Sequence, residues 1–295
     1  MTTRVLKFTS AILLFFTMQV SAQNFQGVAT YQTKTVLDID LAASGIPADR
    51  IQRIKEMMKS RLEKTYKLTF NKSESIYKEE EKLDNASGGR GMRFMMYGGG
   101  ASGIHYKNIQ AKKSAKENEF SGKNFLIKND LTNYEWKMEQ ENKTIGNYLC
   151  FKATAIVKMP APREMKFGRG RPNEKKSEVS SEKEKKEESS KPELVDTIVS
   201  AWYTLDIPAG HGPGDYYGLP GLILELSYGN TNVLCTKIVL NPKEKMEINE
   251  PKKGKVVTQE EYDKIIQEKM LEMRERMRNE RQKGGNNSRR IRIGG

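Results

Sequence analysis

The chain has 295 residues, with 51 Lys and Arg against 38 Asp and Glu, a net charge of +13, two cysteines and two histidines. So few cysteines exclude a disulfide-dense scaffold, and so few histidines weigh against an imidazole-built zinc centre. Length alone admits one or two domains, and one is expected because many residues fall in segments that cannot pack.

In chain order, Arg4 and Lys7 precede the short apolar run Ala11–Met18, and Val20-Ser21-Ala22 follows. This is the pattern of a secretory signal over residues 1–22, with cleavage before Gln23. The run is shorter than the roughly 20 residues a spanning helix needs, and no later run reaches that length. Phe25–Val36 reads as a first strand. Pro47 then opens a helix with Ile51, Ile54, Met57, Met58 and Leu62 at helical spacing. Thr65–Phe70 and Ser75–Lys78 alternate as strands. Residues 85–103 form a Gly-rich excursion with Met92, Phe94, Met95 and Met96.

Residues 104–109, 124–128, 134–138 and 147–158 read as further strands. Residues 160–194 are low-complexity, with too little apolar content to offset ordering entropy, and read as a disordered insert. Alternation resumes at Thr197. Residues 221–228 and 232–241 form a hairpin around Gly229-Asn230. Thr258 with Glu261 has the pattern of a capping box opening a last helix, and residues 283–295 read as a basic, loose tail. Strand follows strand, with helices at two places. The expected fold is mainly β with two helices: a single antiparallel curved sheet, half-barrel or barrel-like, over residues 23–282.

Chemical motifs are sparse. Gly98-x-Gly100-x-x-Gly103 follows no buried strand and opens no helix, so it is no dinucleotide site. Ser180-x-x-Lys183 lies in the charged insert, where nothing can hold a nucleophile. His105 and His211 are the only two histidines, and a pair seldom makes a zinc site without nearby carboxylates or thiolates, so neither a metal site nor a cofactor is expected. Met92, Met95 and Met96 are soft donors that a copper(I)-binding protein could use; packing is the plainer reading. No nucleophile–base constellation is visible, so an enzyme is the least supported class. Cys150 and Cys235 both lie in the exported part, on strand-like segments, and a disulfide between neighbouring strands is expected.

One stretch is distinctive. Ala201-Trp202-Tyr203 leads through Tyr216-Tyr217 into Gly218-Leu219-Pro220-Gly221-Leu222-Ile223. This hexapeptide resembles the signature of the GLPGLI family of exported bacterial envelope proteins, and Gly146-x-Tyr148-x-Cys150-x-Lys152-Ala153 is similar to that family's upstream pattern. The resemblance implies an envelope address and carries no biochemical activity. The layout also resembles the half-barrel sheets of envelope lipoprotein carriers. Glycine and proline shape the hexapeptide's backbone. It is expected to be a structural corner or pocket rim, with Trp202 and Tyr217 packed over it.

The expected function is a non-catalytic, exported periplasmic or envelope protein that binds an apolar ligand or a peptide in its curved sheet, under the 47–63 helix. The alternatives are an accessory interaction protein of an outer-membrane transport complex and a copper(I)-binding stress protein. An exported chain meets anionic head groups and glycans rather than nucleic acid. Its basic excess is read as sitting in solvated tails and loops, with peripheral contact with anionic surfaces as the other reading.

Overall fold

The computed structural model describes residues 25–36, 47–80, 100–101, 103–161 and 194–290, the last ten of these by backbone only. The signal segment 1–22, Met92, Met95, Met96 and most of the 160–194 insert lie outside the described residues. The protein is mostly β with two helices. It divides into two compact units, Met1–Glu81 with Thr132–Ile248, and Lys82–Leu131 with Asn249–Gly295.

Unit 1 contains β1 (Gly27–Thr35), α1 (Ala48–Leu62), β2 (Glu63–Phe70), β3 (Glu74–Glu79), β8 (Lys137–Ile145), β9 (Tyr148–Pro160), β10 (Leu194–Thr204), β11 (Leu222–Tyr228) and β12 (Thr231–Leu240). Its strands run in the order β3-β2-β1-β12-β11-β10-β9-β8, every pair antiparallel. Period-two alternation selects one face for burial. Ala29 and Tyr31 of β1, Leu68 and Phe70 of β2, Val233 and Cys235 of β12, Leu224 and Leu226 of β11, and Val199 and Ala201 of β10 share one core cluster. The β11–β12 hairpin turns on Gly229-Asn230, between the paired Tyr228 and Thr231. Helix α1 runs straight into β2, its Ile51, Ile54 and Leu62 half-buried. Among the described residues no α1 side chain enters the buried core.

The β9–β10 pair is longer than its neighbours. β8 follows β9 only as far as Thr154, and β11 follows β10 only as far as Val199. Beyond these points, among the described residues, 156–160 and 194–198 pair only with each other, Ile156 opposite Ile198 and Pro160 opposite Leu194. Ile156 and Ile198 are 73% and 66% exposed, as a ribbon without flanking strands requires.

Unit 2 holds β4 (Gly100–Ala101), β5 (His105–Asn108), β6 (Lys113–Phe120), β7 (Lys123–Asp130), β13 (Lys255–Val257) and α2 (Gln259–Arg290). The order is β13-β7-β6-β5, with β4 also on β6. Here the expectation of a wholly antiparallel sheet is corrected, because β13 pairs β7 in parallel. The physical reason is connectivity. A parallel neighbour needs a long return path, and the chain leaves unit 2 after β7, builds half of unit 1 and returns at Asn249. The sheet is mixed and open, not closed into a barrel. Thr258 and Glu261 close the expected capping box. The Thr258 amide donates to Glu261 Oε2 at 2.9 Å, and the Glu261 amide donates to Thr258 Oγ1 at 3.2 Å. α2 continues to Arg290 and so includes 283–290, which composition alone reads as tail.

Candidate functional site

The hexapeptide lies at the end of a folded corner. Between β10 and β11, residues 205–221 form no strand, yet Ile207, Ala209, His211 and Leu219 are almost fully buried. Backbone bonds fix the path: Leu222 N–H donates to Ile207 O at 3.0 Å, Ile223 N–H to His211 O at 3.0 Å, and Gly218 N–H to Gly210 O at 2.9 Å. His211 and Tyr217 form an isolated antiparallel bridge. Through the motif, exposed Gly218 and Pro220 alternate with buried Leu219 and Gly221, and Leu222 and Ile223 enter β11 fully buried. Gly218 has φ of +94°, a region that L side chains rarely adopt. At Gly221 a Cβ would stand 1.8 Å from the Thr204 carbonyl oxygen, so only glycine lets the two backbones touch. Tyr31, buried on β1, donates its hydroxyl to Ile223 O at 2.7 Å and ties the corner to the sheet.

The indole that meets this corner is Trp136, just before β8. Its Nε1 donates to Tyr217 O at 2.9 Å and lies against Gly218. Trp202, on β10 between Ala201 and Tyr203, is half-buried and also packs on the core cluster that holds the corner. There Lys143 Nζ sits 4.2 Å from its ring centroid and bridges to Glu225 at 2.7 Å. Tyr217 remains at the corner, its ring edge-on to Tyr134 at 5.9 Å.

Sequence reading missed a band of tyrosines. Tyr134 stacks on Tyr216 at 5.1 Å, and Tyr216 meets Tyr228 at 6.0 Å. Tyr66 stacks on Tyr77 at 4.7 Å, with Tyr31 edge-on to Tyr77 at 6.2 Å. Tyr66, Tyr77, Tyr216 and Tyr228 are half-buried and pack on the core cluster. Burial first, and then the charge of Asp215, raise the Tyr134 and Tyr228 hydroxyls above the ordinary phenol value. For Tyr77, burial and then Tyr66 act the same way. These phenols therefore stay neutral at ordinary pH and present donors and acceptors on apolar rings.

Cys150 and Cys235 are both buried free thiols. They sit on β9 and β12, with β10 and β11 between them in strand order. The strands that carry them are therefore not neighbours, although Cys150 lies near enough to add to the shift of Cys235. Burial pushes the Cys150 thiol up to about 11 and the Cys235 thiol up to about 12. His211 is in the unit 1 corner, its ring 6.2 Å from Phe70, and His105 is buried on β5 of unit 2. Among the described residues no group of three or more His, Cys, Asp and Glu could hold a metal ion, and no helix is long and apolar enough to cross a membrane.

Residues 136–225, from the corner's tryptophan to the carboxylate beside Trp202, match a family model described as "Protein of unknown function (Porph_ging)". This is an uncharacterised family. No curated protein matches the chain. Among solved structures, two crystal forms of PNGF-II, in C2 and P21 space groups, are similar at 13% and 12% identity. Each has a TM-score of 0.46 and covers 82% of this chain, which spans about a third of their length, 32% and 33%.

Proposed function

We propose that this is a non-catalytic binding protein of the cell envelope that takes an apolar ligand or a peptide against the tyrosine-lined face of unit 1. The band of half-buried tyrosines carries the reading. Aromatic rings with neutral hydroxyls offer large rigid contact area at low entropic cost, which suits an amphipathic ligand with no fixed charge pattern. The finer picture, a GLPGLI-type sheet bent into a half-barrel with the corner as its rim, draws support from residues of β1, β2, β9, β10, β11 and β12 entering one core cluster. The N-terminal pattern supports export to the periplasm or envelope, and a mature chain beginning at Gln23 is the expected result of N-terminal sequencing.

Native mass spectrometry of protein purified from the envelope tests the binding itself. A bound lipid or peptide should be present, and Tyr77→Ala with Tyr216→Ala should weaken its retention at least tenfold, while Trp202→Ala should not. A protein that purifies empty, and gains nothing from envelope extract, would sink the reading. Because the phenols stay neutral, affinity should be flat from about pH 6 to 9.

A further inference from the structure

Alternation sorts the free end of β9 and β10 into two faces. Val157 and Met159 continue the buried side and pack on the core cluster of unit 1. Ile156, Lys158, Pro160, Leu194, Asp196 and Ile198 take the other side, and all six are exposed. Ile156 stands 73% exposed, Ile198 66% and Leu194 57%, a concentration of bare aliphatic surface that marks a contact. Cross-strand pairing sets the six in rows: Ile156 with Ile198, Lys158 with Asp196, and Pro160 with Leu194. An ionic row thus lies between two apolar ones. A lipid surface or an apolar ligand suits this face poorly, because covering it would take Lys158 and Asp196 out of water and offer them no new partner.

We infer that this face is where two copies of the chain meet, ribbon on ribbon, with β9 of one copy lying over β10 of the other. Charge complementarity carries the choice of partner. A dyad parallel to the strands exchanges β9 and β10 at equal height, as an isologous contact requires. It sets Ile156 on Ile198 of the second copy, Pro160 on its Leu194 and Lys158 on its Asp196, each contact made twice. Facing sheets stand about 10 Å apart with their side chains interdigitated, a gap that a lysine and an aspartate bridge together. A dyad across the strands through the ionic row is disfavoured, since it lays Lys158 on Lys158 and Asp196 on Asp196. Next along the ladder are Thr154 and Ser200, small side chains that do not hold the two faces apart. The contact is small, so the dimer is a weak and reversible one. The inference is independent of the tyrosine band.

Sedimentation equilibrium of the full chain over a concentration series should show monomer and dimer in exchange. Lys158→Asp gives a ribbon with two acids, and Asp196→Lys gives one with two bases. Each variant should self-associate at least about tenfold more weakly, because like charges then face each other across the dyad. Their equimolar mixture should regain the dimer, acid ribbon on basic ribbon. That recovery shows both variants to be folded, and a charge pair acting only within one ribbon could not produce it. A photoreactive side chain at position 156 should give a homodimer adduct that maps to residues 194–198 of the second copy. One at Leu149, 49% exposed at the far end of β9, should not. Any of four results overturns the inference: a monomer at every concentration, a dimer indifferent to both reversals, a mixture no tighter than its components, or adducts from 156 confined to its own chain or to a different protein.

Discussion

The corner at residues 205–221 and helix α2 make opposite use of the chain. The corner has no repeating backbone pattern, yet it buries Ile207, Ala209, His211 and Leu219 almost completely. α2 is the longest regular element, and from Glu272 to Glu280 every side chain except Met273 and Met277 is exposed. At the corner, long-range bonds from Tyr31 and Trp136 hold the carbonyls of Ile223 and Tyr217. In α2, Tyr262, Ile265 and Ile266 pack on the core of unit 2, and the capping box and the helix's own ladder supply the rest. Regularity and burial are thus separate properties, and substitutions should be felt where burial is, not where the backbone is regular.

Gly221→Ala should have the largest effect. Its methyl meets the Thr204 carbonyl at 1.8 Å, and a loss of about 3 kcal/mol is expected in urea unfolding. A loss below 1 kcal/mol would show the corner to be pliable and undo the contrast. Tyr31→Phe should follow, at about 1–2 kcal/mol, because it leaves the buried Ile223 carbonyl without its donor.

The thiols sharpen the same contrast through pH. Folding raises both pKa values, so the native state holds its protons more tightly than the unfolded chain. The stability this gives is complete below the ordinary thiol value of about 8.5. It is lost as pH rises through about 11 for Cys150 and about 12 for Cys235. Unfolding free energy should fall above about pH 9, less steeply when both cysteines are alanine, and a maleimide should react at pH 8 only after denaturant is added. Smallest of all, Met273→Glu should change the unfolding free energy by no more than about 0.5 kcal/mol.

Much of unit 1 was legible because its strands alternate. β1, β2, β9, β10, β11 and β12 each bury one face, and the pattern survives in sequence. β6 and β8 were not. β6 buries only Ser114, Ala115 and Phe120 among lysines and glutamates. β8 lies at the end of its sheet, and its polar side chains are exposed as an edge strand requires. The hexapeptide was legible as a corner, since its Gly and Pro spacing encodes backbone shape. Its tryptophan was not, because Trp136 reaches Tyr217 across 81 residues and no local pattern encodes so distant a contact. The tyrosines were invisible as a group for the same reason: they come from β2, β3, β11 and two loops, and only strand order brings their rings together.

The free ribbon at the end of β9 and β10 has a practical consequence. Pro160 stands directly opposite Leu194, so the polypeptide departs and re-enters at a single point. Whatever residues 161–193 do, their number does not set the register of the strands below. Lengthening or replacing them adds only the slowly growing entropy of closing a larger loop. An affinity tag or fluorophore grafted there should report on the protein while leaving the corner, the tyrosines and α2 as they are.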